Sequence, residues 1–162
     1  MDLAIVFHFP VMNQRIQKHF NNLLMKYLFE NPIKGKLGSQ NYKTSILWRN
    51  GELIADEPEK LGGQDLGPDP FTLLLSSLVS CTIATLKMYI DQKGINLPKL
   101  EIEANMFYKI ENRERVAFIE RNIRFGEQLD EELKEKLLSI AENCPVSKTL
   151  KGNIQVLTEV NS

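Results

Sequence analysis

The stretch from Gly67 to Gly94 constrains this chain more than any other. It reads GPDPFTLLLSSLVSCTIATLKMYIDQKG. Asp69 is a good N-cap, Pro70 suits the first helical position, and Gly94 is a natural stop. Between them lies no helix breaker, and no charge appears before Lys87. A helix this apolar on every face is expected to be buried on most of them. Cys81, one of only 2 cysteines, sits near its middle. A thiol there is either a small core residue or the reason for the burial.

A chain of 162 residues predicts one domain with an appendage: an N-terminal extension over 1–40 and a domain over 41–162. Its 43% hydrophobic and 25% charged residues are those of a globular protein. Such an apolar helix needs cover on several sides, which points to a second subunit. The net charge of −1 offers nothing to nucleic acid or an anionic membrane surface. Lys87 and Asp91 close the apolar run short of a membrane span. MDLAIVFHFP lacks the basic region and cleavage site of a signal peptide. A cytoplasmic location is therefore expected, with cysteines reduced or redox-active.

In chain order, His19, Phe20, Leu23, Leu24, Tyr27 and Leu28 fall at helical spacing, and Asn31-Pro32 ends that helix. Met25 would itself make a sensible start, so residues 1–24 read as an extension from an upstream start codon. Gly35, Gly38 and Ser39 read as a loop. Tyr42 to Ala55 reads as a hairpin turning at Arg49-Asn50-Gly51-Glu52. DEPEKLGGQDLGPDP is a surface loop that runs into the helix cap.

After Gly94, Leu100, Ile102, Ala104, Met106 and Tyr108 alternate with polar residues in a one-sided strand. Glu111–Glu114 turns the chain, and Val116–Phe125 is the antiparallel partner. From Leu129 or Asp130 a second helix turns Leu133, Leu137, Leu138, Ile140 and Ala141 inward, and Cys144-Pro145 ends it. Asn153–Val160 reads as a last strand. This order predicts an α+β domain with one sheet packed on helices.

Neither thiol is activated by its sequence neighbours. Cys81 lies beyond the reach of the helix N-terminal dipole, and Ser77, Leu78, Ala84 and Thr85 around it are uncharged. An unassisted thiol ionises near 8.5 and reacts slowly at neutral pH. Cys81 is thus an ordinary core residue unless the fold brings a cation to it. Cys144 ends a helix, where the dipole disfavours a thiolate and nearby Lys148 offsets this in part. Two cysteines far apart, with His8 and His19 near the N-terminus, make a poor zinc set, and no metal or other cofactor is expected.

Gly67-Pro68-Asp69-Pro70, the leucines 73–75, Ser80-Cys81-Thr82 and ENCPVSKTL at 142–150 together resemble the OsmC/Ohr family of osmotically inducible and organic-hydroperoxide-resistance proteins. ADEPEKLGG at 55–63 is similar to its OsmC-like branch. The likeness spans roughly residues 42–160. It implies an intertwined homodimer in which each subunit is a curved antiparallel sheet wrapped around two long central helices. It also implies a thiol-dependent peroxidase. Cys81 would take oxygen from an organic hydroperoxide and become a sulfenic acid, Cys144 would condense with it to a disulfide, and a dithiol reductant would reset the pair. An arginine from an early turn would serve the first cysteine, and Arg49 in Arg49-Asn50-Gly51 resembles that element. It would stabilise a thiolate and orient the peroxide.

The chain departs from that pattern at the helix start. Where the better-known hydroperoxidases hold the arginine with a glutamate after the proline, Phe71 and Thr72 follow Pro70. Asp56, Glu57 and Asp69 are the nearby carboxylates. Ser147 stands where some relatives carry histidine. With Phe71, Leu74 and Leu78 as an apolar lining, the first reading is a peroxidase acting on organic hydroperoxides. The second, which the missing glutamate favours, is a non-catalytic redox-responsive or ligand-binding dimer of the same fold.

Overall fold

A computed structural model describes residues 27–97 and 99–161. The extension proposed for residues 1–24, His8, His19 and most of the first expected helix lie outside them. Tyr27 and Leu28, the last residues of that helix, are exposed and not helical.

The α+β expectation holds, but the strands form two antiparallel sheets where one was expected. The first comprises β1 (Lys34–Leu37), β2 (Thr44–Trp48) and β3 (Gly51–Ala55) in that order. β1 corrects the loop reading of Gly35. Its glycine weakens an isolated strand, yet pairing with β2 across Gly35↔Ile46 supplies the ladder that local propensity lacks. In the β2–β3 hairpin Trp48 pairs with Gly51, so within the expected turn the two loop residues are Arg49 and Asn50. A Cβ on Gly51 would lie 2.2 Å from Cζ2 of Trp48, so the glycine there makes room for the indole.

α1 (Pro70–Lys93) has the predicted caps. Asp69 accepts from the backbone N–H groups of Phe71 and Thr72, at 2.9 and 3.2 Å. Gly94 closes the helix in the left-handed region at φ 64°. The helix is about 36 Å long. Only one stripe of it is buried within the subunit: Leu78, Thr82, Leu86 and Ile90. Phe71, Ile83 and Met88 are exposed, against the expectation of burial on most faces. One chain has too few elements to surround it. By length and composition α1 also reaches what a membrane crossing requires, so Lys87 and Asp91 do not cut the run as short as expected.

β4 (Leu100–Glu111) and β5 (Glu114–Phe125) form the second sheet. Asn112 and Arg113, at φ 51° and 69°, make the tight turn of mirror-image type that matches the twist of a hairpin. Each strand is roughly 40 Å long. Leu100, Ile102, Ala104 and Met106 are half-buried as predicted, while Tyr108 is exposed because the hairpin there runs past the core. α2 (Glu131–Glu142) starts at Asp130, which accepts from Leu133 N at 2.7 Å. Leu137 and Ala141 are buried, but Leu138 points outward. Leu86, Ile90, Leu137 and Ala141 form the core, and Ile102, Ile123 and Phe125 of the hairpin close over it.

Cys144-Pro145 does end α2, but a third helix, α3 (Pro145–Lys151), starts there at once. Beyond it Asn153–Val160 is not a strand. Val156, Leu157 and Val160 are exposed, and the segment pairs with no strand among the described residues.

Candidate functional site

The site lies where α1, β5, α2 and α3 converge. α1 contributes Cys81, half-buried, and Thr82, wholly buried. The turn between α2 and α3 contributes Cys144, which has no exposed surface. Both cysteines are free thiols, and Thr82, the residue after Cys81, brings its Oγ1 to 3.6 Å from the Cys144 sulfur. The fold thus brings together two cysteines that are remote in sequence.

Three polar groups surround the Cys144 sulfur: Ser147 N at 3.4 Å and Arg121 Nη1 at 4.0 Å donate to it, and Thr82 Oγ1 lies 3.6 Å away. Burial pushes the Cys144 thiol up. The Thr82 hydroxyl, the Ser147 N–H, the Cys81 thiol and the Arg121 guanidinium together outweigh it and hold the group below the ordinary thiol value. This corrects the expectation that a helix end disfavours a thiolate at Cys144. With φ −61° and ψ 146° the residue caps α3, so its sulfur faces backbone N–H groups rather than carbonyls. The signal was present in sequence: a proline directly after a residue suits the first position of a new helix.

Arg121 is the residue that sequence reasoning missed. Its Nη1 donates to Thr82 Oγ1 at 2.7 Å and its Nη2 to Glu142 Oε1 at 3.4 Å. The Arg121 side chain is only 9% exposed. Glu142 also accepts from Lys151. Lys151, the burial of the carboxyl and then Arg121 act on Glu142 in that order, and the two cations keep it below the usual carboxylate range. A hint existed in the alternation of β5. Ile119, Arg121, Ile123 and Phe125 share one half-buried face, and a charge in such a row needs a partner.

Arg49, by contrast, lies exposed at the β2–β3 turn, and no hydrogen bond joins it to either thiol among the described residues. The carboxylates near the helix start are committed elsewhere. Asp56 accepts from the N–H groups of Glu57, Gln64 and Leu66, and Asp69 caps α1. Ser147 is buried, and its N–H is what it offers the site. Beside the cluster a groove of about 760 Å³ opens between β5, α2 and α3, with Arg121, Glu142 and Ser147 at its polar end and Leu78, Ile119 and Leu137 on its walls.

Comparison with known proteins agrees with this architecture. The family described as OsmC-like protein matches residues 62–159. A comparison with curated proteins finds no match. Among solved structures, an organic hydroperoxide resistance protein OsmC from Legionella pneumophila is 19% identical, with a TM-score of 0.58 over 79% of this chain and 93% of that one. The OsmC-like protein of Mycoplasma pneumoniae is 20% identical, with a TM-score of 0.59 over 78% and 90%. The organic hydroperoxide resistance protein OhrB of Bacillus subtilis is 21% identical, with a TM-score of 0.56 over 78% and 94%. At these identities the likeness is one of fold.

Proposed function

This chain belongs to the OsmC-like family, and from that premise we propose that it is a thiol-dependent peroxidase that reduces organic hydroperoxides. The observation that carries the reading is the convergence of α1 and the α2–α3 turn, which sets Cys144 against Thr82, the residue next to Cys81, with both cysteines free thiols. Relatives named for organic hydroperoxide resistance support the substrate class.

Accessibility divides the roles. Cys81 is the more open of the pair and attacks the terminal peroxide oxygen: the O–O bond breaks, the alcohol leaves, and sulfur becomes a sulfenic acid. Cys144, buried beside it, then attacks that sulfur. The S–S bond forms, the S–O bond breaks, and hydroxide leaves as water after taking a proton. A dithiol reductant returns both thiols and is itself oxidised to a disulfide. Phe71, Leu74 and Leu78 give the approach an apolar lining that favours alkyl over hydrogen peroxide. The cycle needs no metal or other cofactor, and it suits the cytoplasm, where reducing systems keep such thiols ready.

The working unit is an intertwined homodimer. The exposed Phe71, Ile83 and Met88 of α1 and the unpaired 153–160 segment are surfaces a second copy would cover. Arg49 is exposed at the β2–β3 turn and makes no hydrogen bond to either thiol among the described residues, so its proposed role of stabilising the thiolate and orienting the peroxide depends on the dimer.

A second reading, a redox-responsive or ligand-binding dimer without turnover, is favoured by Phe71 and Thr72 in place of a carboxylate and by the exposed Arg49. The two readings part on one assay. With cumene or tert-butyl hydroperoxide and a dithiol donor, Cys81→Ser should lose all consumption, and Cys144→Ser should complete one turnover and stall. Wild-type protein that consumes no hydroperoxide would remove the peroxidase reading.

A further inference from the structure

We propose that Arg121, held by Thr82 and Glu142, keeps Cys144 as a resident thiolate in the reduced protein and is thereby a positioning residue for disulfide closure. The consequence for catalysis rests on the proposed peroxide cycle, whereas the thiolate itself does not.

The argument starts from charge. Arg121 is nearly buried and needs a counter-charge. Its carboxylate, Glu142, is shared with Lys151, which binds the other oxygen. Two cations thus divide one anion. With both thiols protonated the cluster keeps a net positive charge at the edge of the core. An anionic Cys144 sulfur, 4.0 Å from Nη1, cancels it.

The hydrogen bonds agree. Ser147 N–H of α3 and Arg121 Nη1 of β5 donate to the Cys144 sulfur, and Thr82 Oγ1 of α1 lies beside it. The one nearby acid, Glu142 of α2, is occupied by Arg121 and Lys151, and Lys148 of α3 is exposed. Thr82 Oγ1 accepts from Arg121, so its own proton is left to donate, either to Leu78 O at 2.7 Å or to the sulfur at 3.6 Å. A neutral thiol is a weak acceptor, whereas a thiolate suits a backbone N–H and a guanidinium donor. The Arg121–Glu142 pair thereby supplies, within one subunit, an arginine–carboxylate couple that the start of α1 lacks.

An anionic Cys144 is poised for the second step. It attacks the Cys81 sulfenic acid without first losing a proton, and hydroxide departs. Slower closure would leave that sulfenic acid open to a second peroxide and to irreversible oxidation.

The test uses full-length Cys81→Ser protein, in which Cys144 is the sole cysteine, and follows ultraviolet thiolate absorbance against pH. The midpoint should lie below about 8.5. Arg121→Gln should raise it by about one unit, leaving roughly tenfold less thiolate at neutral pH. Arg121→Lys should restore part of the shift. The exposed pair gives opposite signs that a merely structural role would not: Glu142→Gln should lower the midpoint and Lys151→Met should raise it. These surface variants keep the test valid if Arg121→Gln does not fold. An ordinary thiol midpoint in the Cys81→Ser protein, or a midpoint that ignores all four changes, overturns the inference. The titration needs no peroxide. A depressed midpoint in a protein that consumes no hydroperoxide would remove the peroxidase reading alone, and an ordinary midpoint in an active peroxidase would remove this one alone.

Discussion

Arg121 Nη1 donates to Thr82 Oγ1 at 2.7 Å, tying the middle of β5 to the helix residue that follows Cys81. Thr82 is fully buried, and its Oγ1 and Arg121 Nη1 flank the Cys144 sulfur at 3.6 and 4.0 Å. The bond fixes where the guanidinium lies relative to that sulfur.

Replacing Thr82 by valine keeps the shape and removes the oxygen. Arg121 then loses its closest acceptor, and the Cys144 sulfur loses a polar neighbour 3.6 Å away. We expect a loss of about 1–3 kcal/mol in stability, the usual cost of leaving a buried polar group unpaired, together with slower closure of the Cys81–Cys144 disulfide. Denaturant titration and single-turnover kinetics read the two effects. A variant as stable and as fast as wild type would show that the Arg121–Thr82 bond contributes nothing.

The pH dependence has a definite sign. Cys144 is held below the ordinary thiol value in the folded protein, against the push of burial. A group depressed on folding stabilises the native state fully above its unfolded value, about 8.5 for a thiol, and loses that contribution as pH falls through the folded value. The stability difference between reduced wild type and Cys144→Ser should therefore widen as pH rises toward about 8.5. Disulfide closure should slow as pH falls through the folded value of Cys144, because the attacking species is the thiolate. Closure rates that rise on acidification would contradict this.

What could be read from sequence was local. Asp69-Pro70 and Gly94 bracket α1 because caps and breakers act over a few residues, and period-two alternation marks β4 and β5 for the same reason. The cysteines could be singled out, but not the environment of Cys144. Cys144-Pro145 was read as a helix end only, although the same proline also suits the first position of the helix that begins there. Arg121 was hidden because its meaning depends on Thr82 and Glu142, which no spacing rule connects to it. The error at 153–160 has a different origin. Alternating residues are a property of the segment, but a strand also requires an edge to pair with.

The core itself is small. Leu86 and Leu137 are its largest fully buried aliphatic side chains, and they meet across α1 and α2. Truncating either to alanine should cost about 2–5 kcal/mol, through lost burial and a residual cavity. With so few other buried side chains, we expect either variant to fall near the limit of stability in thermal melts. A loss under about 1 kcal/mol would mean that much of the burial lies elsewhere, in contacts a partner supplies.

That partner is tested most directly on α1 itself. Phe71 and Met88 are 55% and 72% exposed on a helix with few charges, and Val156 and Leu157 of the C-terminal segment are 84% and 88% exposed. Covering each such side chain would stabilise an assembly by about 1.5–3 kcal/mol, so a second copy seated on α1 should bind tightly. Sedimentation of the wild-type protein should give a dimer. Ile83→Glu with Met88→Glu puts charge on the exposed face without touching the Leu78, Leu86 and Ile90 stripe, and should shift the protein toward monomer. Truncation after Gly152 should weaken the dimer if the last segment pairs with the partner, and should leave it unchanged if α1 alone carries the contact. A wild-type monomer at every concentration would sink the dimer, and with it the role proposed for Arg49. The activating charge for the thiol pair would then rest with Arg121 alone.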